Sequence, residues 1–296
     1  MKTPLRYLGG KSKAYDEISP HIFSKAFPKM IVSPFLGGGS LESRWSSEMM
    51  VQVKGFDIFR PLVLFWKQLL KNPTQLFEVL SDISVSKENY DHIKEMLLSW
   101  EYTQEMLSEW KTSHYVRTPT TQLSDLEVAT YFFYNHGLSY GPQYLGWLSS
   151  IYEKDPSKWE SVLFKIKNYR NSNLQVEESH FVEVLNSFPN DFIYLDPPYF
   201  LSGDMFKGLY PNPNFAVHHE GFDHEKLRDM LHSHKGRFVL SYNDCTEIRE
   251  FYKGFDFHFP SWSYSLANGE TRRGKNRETR GGENTKTSHE ILIVKN

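Results

Sequence analysis

Cysteine is almost absent. Cys245 is the single one among 296 residues, which excludes an internal disulfide and a multi-cysteine zinc site. Long apolar runs are missing as well, so nothing is long enough to span a bilayer. Met1-Lys2-Thr3-Pro4 does not open a signal peptide, and the expectation is an intracellular, soluble protein with no membrane partner. Charge of one sign is also scarce. The net charge of −2 excludes a chain coated in positive charge, and any nucleic-acid surface must be a local patch. Aromatic residues, at 16%, are abundant, which suits base stacking and equally a ring-rich core. A chain of this length buries a large core in one or two domains.

The most informative stretch is Phe192-Ile193-Tyr194-Leu195-Asp196-Pro197-Pro198-Tyr199. Phe192 to Leu195 reads as a buried strand. Pro197 and Pro198 stop it, because neither donates to a ladder and Pro197 holds Asp196 extended. A carboxylate is thereby placed at the carboxyl end of a central strand, where ligands bind in open α/β sheets. Asp196 and the Pro197 carbonyl are two acceptors without a competing donor. They suit a group that brings two hydrogens, such as the exocyclic amino group of a nucleobase. Holding both hydrogens would aim the nitrogen lone pair and spread the charge that builds as it attacks. Tyr199 offers a face on which a displaced base would stack. The plain alternative is a proline-punctuated strand end with a surface tyrosine.

Three amino-terminal segments add to this. In Leu5-Arg6-Tyr7-Leu8-Gly9-Gly10-Lys11 the glycines permit a tight turn, and Lys11 brings a positive charge to it; read alone, it is a terminal turn with a solvated lysine. Lys29 to Ser33 reads as a strand, Pro34-Phe35-Leu36-Gly37-Gly38-Gly39-Ser40 as the loop after it and Leu41 to Met50 as a helix. Such a loop turns backbone N–H groups toward a polar ligand. It completes neither a phosphate loop nor a G-x-G-x-x-G fingerprint. The next strand, Val51 to Phe56, ends at Asp57, about 20 residues past the glycines, the spacing at which a carboxylate binds ribose hydroxyls. An adenosine-bearing cofactor is the natural expectation, with a solvated loop aspartate as the plain alternative.

Together these segments resemble the Dam-type N(6)-adenine DNA methyltransferases. Thr3-Pro4-Leu5-Arg6-Tyr7-Leu8-Gly9-Gly10-Lys11, Pro34-Phe35-Leu36-Gly37-Gly38-Gly39-Ser40 and Asp196-Pro197-Pro198-Tyr199 match that family's motifs in its order. The resemblance implies S-adenosylmethionine as cofactor, with S-adenosylhomocysteine as product. It implies cofactor contacts from Tyr7, Gly10, Lys11, Pro34, Phe35, Gly37, Gly39, Ser40, Asp57 and Asp196, and catalysis by Asp196, Pro197, Pro198 and Tyr199. Ser33 stands where the family usually has an acidic residue, so a charge near the cofactor is missing.

Between residues 73 and 189 the spacing predicts helices over Gln75 to Trp110 and a loop over Ser113 to Leu123. Ala129 to Gly141 resembles the family's segment in which an aromatic run leads into N-R-x-x-x-N-G, with His136 for the arginine and Tyr140 for the second asparagine. Tyr131 to Phe133 read as core. Asn135, His136, Ser139 and Tyr140 are the candidates for DNA contact, on a stretch that extends to Tyr144. Phe200 to Gly221 is a long irregular segment, expected to be a lid. His218, His219, Glu220, Asp223 and His224 raise a rival metal-dependent chemistry. Asp223 reads better as the N-cap of a helix from His224 to His234, so no metal is expected. Phe238 to Leu240 and Glu290 to Val294 read as strands, with a weak role near the target pocket carried over for Asn243. Arg272, Arg273, Lys275 and Arg277 lie in the most basic local stretch, suited to DNA phosphates.

The expected architecture is α/β, a Rossmann-like methyltransferase sheet built from 1–72 and 190–296, with a mainly helical target-recognition insertion over 73–189. The expected activity is methyl transfer to a flipped adenine in double-stranded DNA, with a restriction endonuclease for the same site as an open partner. N(4)-cytosine methylation and a catalytically silent DNA-binding subunit are the alternatives.

Overall fold

Ile31, Val32 and Phe192 to Leu195 are apolar at successive positions, as strands covered on both faces must be. In this computed structural model, which describes residues 1–100, 122–200, 221–260, 263–265, 285–287 and 290–296, they form β1 (Met30–Ser33) and β4 (Phe192–Leu195). The two pair in parallel through Ile31–Phe192 and Val32–Ile193. β2 (Gln52–Asp57) and β3 (Leu174–Glu178) extend the sheet on one side. β5 (Phe238–Asn243), β9 (Glu290–Lys295) and β6 (Asp256–His258) extend it on the other. The seven-stranded order is β3-β2-β1-β4-β5-β9-β6. All neighbours are parallel except β9, which runs antiparallel to both β5 and β6. β7 (Ser263–Ser265) and β8 (Thr285–Thr287) form a separate antiparallel pair.

From β1 the chain builds outward one way through β2 and β3, then returns to β4 on the other side. The carboxyl ends of β1 and β4 therefore flank a topological switch point, where the crevice of a doubly wound sheet opens. This is a mixed α/β, Rossmann-like fold.

Side chains alternate between two cores. Ile31, Tyr194, Val239, Leu292 and Val294 join one cluster, with α1 (Tyr15–Phe23), α2 (Glu42–Glu48) and α3 (Arg60–Lys71) over them. Val32, Ile193, Leu195, Leu240, Ile291 and Ile293 join the other, under α9 (Phe181–Ser187), α10 (His224–Ser233) and α11 (Thr246–Phe251). As predicted, Asp223 caps α10, accepting from the Lys226 N–H at 2.8 Å.

Between β2 and β3 lie α4 (Pro73–Ser81), α5 (Lys87–Ser99), α6 (Asp125–Leu138), α7 (Ser150–Lys154) and α8 (Ser157–Lys167). They share the first core through residues such as Leu76, Tyr90, Phe132 and Leu163. No helix among the described residues is long and apolar enough to cross a membrane. One expectation needs correcting. β3 and α9 fall before residue 190 yet belong to the sheet and its second face. β3 is an edge strand with only Leu174 and Val176 buried, too weak an alternation to separate from the helices before it. β5 carries its polar end, Ser241 to Asn243, as part of the strand and stays buried throughout, because β9 pairs along its whole length.

Candidate active site

Asp196 follows β4 directly. Its carboxylate meets the Lys11 ammonium, which lies 2.9 Å from both oxygens and donates to Oδ2. Lys11 is almost fully buried, at 4% exposure. It also donates to the Gly9 carbonyl at 3.1 Å, lies 3.8 Å from Glu290 Oε2 and sits 5.1 Å from the centre of the Tyr199 ring. Burial raises the Asp196 carboxyl, Lys11 pulls it back and Glu290 adds a smaller push, leaving it at about 6.

The rows of the sheet explain why these groups converge. Asp196 lies two residues beyond Tyr194, Ser241 two beyond Val239, Ser33 two beyond Ile31, and Glu290 two before Leu292. All four apolar anchors belong to the same core. With a period of two, the four polar residues share its face of the sheet. Ser241 donates to Glu290 Oε2 at 3.2 Å, and Ser33 donates to Glu42 Oε1 at 2.8 Å.

The glycine loop is held from both sides. The Leu36 N–H donates to the Phe56 carbonyl at 2.8 Å, the Gly37 N–H to Asp57 Oδ2 at 2.9 Å, and Trp66 Nε1 to the Gly37 carbonyl at 3.1 Å. Tyr7 lies across the loop so closely that a Cβ on Gly38 would stand 2.4 Å from the Tyr7 Cβ. Gly39, at φ +56, would bring a Cβ to 2.7 Å from the Trp66 ring. Only glycine satisfies both limits. Asp57 ends β2 and also accepts from the Phe59 N–H at 2.9 Å. Burial raises its carboxyl, and the amides of Phe59, Gly37 and Ile58 oppose the shift. Phe35 turns to the second core, packing on Phe181 and Phe222, and Pro34 is buried. Gly10 closes the turn onto the Tyr7 carbonyl, and Ser40 is half-buried at the start of α2.

On the other flank Pro197 is buried, and Pro198 and Tyr199 are half-buried. The Tyr199 ring lies 6.2 Å from that of Tyr242, and Asn243 Nδ2 donates to the Phe200 carbonyl at 2.8 Å. The Tyr242 hydroxyl in turn bonds His224 Nδ1. The end of β5 and the start of α10 thus fix the chain as it leaves the proline pair.

The Asn135 segment lies differently from its expected place. Ser124 and Glu127 form a capping box, and α6 runs on to Leu138, buried on all sides over its last turns. Asn135 and His136 are interior. Asn135 Oδ1 accepts from the Leu145 N–H at 2.7 Å, and the His136 ring stacks between Tyr7 and Phe132. Burial and Arg6 push the His136 imidazole down to about 3. Ser139 is buried as well, accepting from the Gln143 N–H at 2.7 Å. These three side chains present no surface to DNA here. Tyr140, 42% exposed, is at the surface, as is Trp147 at 80%, which the sequence reading did not single out. The Tyr140 N–H donates to the Trp147 carbonyl at 2.7 Å, and Ser139 bridges Leu148, so the two rings sit on one small hairpin. Arg272, Arg273, Lys275, Arg277, His218, His219 and Glu220 lie outside the described residues, as does the expected lid from 201 to 220.

Reading the sequence also missed Glu42, Glu290 and Ser241. Glu290 had a signal, being in step with Leu292 and Val294 on the last strand. Glu42 had none, because an acidic residue in the first turn of a helix normally faces water.

The donor set fits the cofactor that the motifs imply. A half-buried carboxylate ends β2, a glycine loop admits close approach after β1, and among the described residues acidic groups outnumber the ammonium beside Asp196. A comparison with curated proteins finds no match. The family model described as D12 class N6 adenine-specific DNA methyltransferase matches residues 7–266, and its members' activity is S-adenosylmethionine-dependent methylation of adenine in DNA. With that span covering most of its length, the chain belongs to the D12 class of N6 adenine-specific DNA methyltransferases.

Proposed function

We propose that this chain methylates the exocyclic amino nitrogen of an adenine rotated out of double-stranded DNA. The observation that carries this reading is Asp196, paired with Lys11 at the carboxyl end of β4, across the switch point from the glycine loop and Asp57. Asp57 has acceptor capacity left for ribose hydroxyls, and the loop from Phe35 to Gly39 lines the approach to the donor. S-adenosylmethionine, when bound, supplies an electrophilic methyl group on a sulfonium centre.

Asp196 and the Pro197 carbonyl take the two amino hydrogens of the adenine. That turns the nitrogen lone pair toward the methyl carbon and stabilises positive charge as it develops on nitrogen. The surplus proton passes through the Asp196 carboxylate to water. Tyr199 stacks on the extruded base, which the duplex would otherwise shield from in-line attack. Lys11 keeps Asp196 ionised and aimed. Tyr140 and Trp147 face the duplex and fill the space the base leaves. The catalytic unit comprises 1–72 and the chain from β3 onward, and the helices between them recognise the target.

The test is transfer from labelled S-adenosylmethionine to unmethylated duplex DNA, followed by nucleoside identification, with Asp196→Ala alongside. Label in N(6)-methyladenine, lost in the variant, supports the reading. Label in N(4)-methylcytosine overturns the substrate, and no label with no cofactor binding makes the chain a DNA-binding module.

A further inference from the structure

Among the described residues, two buried carboxyl groups, Glu42 and Glu290, one half-buried one, Asp196, and the buried Lys11 ammonium lie on one face of the sheet at its carboxyl edge. Asp196 has Lys11, and Glu290 has Lys11 and Ser241. Glu42 has neutral donors alone, namely the Ser33 hydroxyl and the N–H groups of Leu41 and its own residue. Among the described residues it forms no ion pair, although it is only 3% exposed. A buried charge without a counter-charge is costly, and proteins rarely keep one in a core for stability. Its position is specific. Glu42 opens α2 immediately after the glycine loop, and its carboxyl reaches back to Ser33 at the end of β1. Asp196 is close enough to repel it.

The ligand of this site changes charge when it reacts. A sulfonium donor carries one positive charge more than the thioether it becomes. We propose that Glu42 is a cofactor-binding residue whose carboxylate supplies the counter-charge for the sulfonium form, so that the site favours the cofactor over its neutral product. This rests on the reading of the site as one for S-adenosylmethionine. It gives product release a physical cause, because methyl transfer removes the charge that Glu42 holds. It also accounts for Ser33. The hydroxyl at that position orients a carboxylate delivered from the helix instead of carrying one on the strand.

A pH signature follows. Burial, with a smaller push from Asp196, raises the Glu42 carboxyl against the backbone and Ser33 donors, leaving it at about 7. The other groups facing this region are Lys11, Glu290 and the Tyr169 hydroxyl, which bonds Ser43 at 2.9 Å. Near neutrality Glu42 is partly protonated in the empty site. A sulfonium ligand favours the ionised form and expels that proton, and a thioether does not.

The test is calorimetric titration of the full-length protein with S-adenosylmethionine and with S-adenosylhomocysteine, in two buffers of different ionisation enthalpy near pH 7. Wild type is expected to release protons with the first ligand and not with the second. Glu42→Gln, which keeps an acceptor for Ser33, is expected to bind the sulfonium ligand about tenfold more weakly, equivalent to about 1.4 kcal/mol. Its product affinity should stay within roughly twofold. Ser33→Ala is a second readout that leaves the carboxylate in place, and it should move the pH midpoint of cofactor affinity upward. Equal weakening of both ligands by Glu42→Gln, or no change in either, overturns the proposal. Failure of wild type to bind either ligand overturns the cofactor reading itself, and this proposal with it.

Discussion

Lys11 and Asp196, 185 positions apart in the chain, meet at 2.9 Å in a pocket where Lys11 is nearly inaccessible to water. The pair ties the amino-terminal turn to the end of β4. It also sets the pH range over which Asp196 is ionised.

Asp196 is held at about 6, with burial raising it and Lys11 lowering it. Single-turnover methyl transfer should therefore rise with pH through about 6 and level off above. Lys11→Met removes the lowering contribution, so the acid limb should move to higher pH and the loss of rate should be greatest below neutrality. Asp196→Asn exchanges one acceptor for a donor and should cost about 100- to 1000-fold at every pH, as removal of a transition-state hydrogen bond does. Quench-flow rates across the pH range distinguish the two patterns.

Much of this site is legible in the sequence because its signals are local. Pro197 and Pro198 mark the end of β4, glycines mark the loop after β1, and Asp57 lies where a doubly wound fold puts a ribose acceptor. What stays hidden depends on which rows of the sheet face each other. Glu290 reaches both Lys11 and Ser241 because β9 inserts antiparallel beside β5, and nothing in a single chain announces that insertion. Asn135 and His136 lie away from their expected place for a related reason. A polar pair after an aromatic run reads as the start of a loop, but α6 carries both through one more turn. There Gly137 permits close packing, since a Cβ on it would stand 2.8 Å from Trp159.

His136 offers a stability test. Among the described residues neither ring nitrogen has a hydrogen-bond partner, and the imidazole is held down at about 3. A histidine depressed below its unfolded value contributes stability above about pH 6.5 that is lost as pH falls toward 3. His136→Phe keeps the stack between Tyr7 and Phe132 and removes two unsatisfied polar atoms. Urea unfolding should show a gain of about 1 kcal/mol at neutral pH and a larger one near pH 5. A loss at both would mean that the ring nitrogens are satisfied in solution.

The glycine loop gives a steric test. An alanine at Gly38 would place its Cβ 2.4 Å from the Cβ of Tyr7, which is fixed to the backbone and cannot swing away. Gly38→Ala should cost about 1–3 kcal/mol, as overpacking does, and weaken cofactor binding. Gly254, at φ +102 with nothing within 4 Å of where a methyl group would stand, is the control. Gly254→Ala meets conformational strain alone and should leave cofactor affinity unchanged.

Trp147 and Tyr140 separate DNA binding from chemistry. Their rings are the exposed part of the hairpin bridged at Ser139 and Leu148. Tyr140→Ala and Trp147→Ala should each raise the KM for duplex DNA about tenfold, the scale of one lost stacking contact. S-adenosylmethionine affinity, measured without DNA, should not change. A base analogue that fluoresces when unstacked, placed at the target position, would show whether either ring is needed to hold the base out.

Glu42 makes a prediction in the absence of any ligand. Its carboxyl is raised to about 7 in the folded protein, above its value of about 4.3 in an unfolded chain. Between those values the folded state holds a proton that the unfolded state has given up, so stability falls as pH rises, by about 1.4 kcal/mol for each unit of displacement. Below the unfolded value its contribution is fully present, and above about 7 the loss is complete. Glu42→Gln cannot ionise and should escape it. The variant should melt higher than wild type at pH 8 and close to wild type near pH 4. Saturating S-adenosylmethionine should narrow the difference at pH 8 by raising wild type more, because the ionised carboxylate then has its counter-charge. A residue that weakens the empty fold and strengthens the loaded one is kept for the ligand. Melting curves that coincide at every pH would show instead that Glu42 has found a partner within the protein.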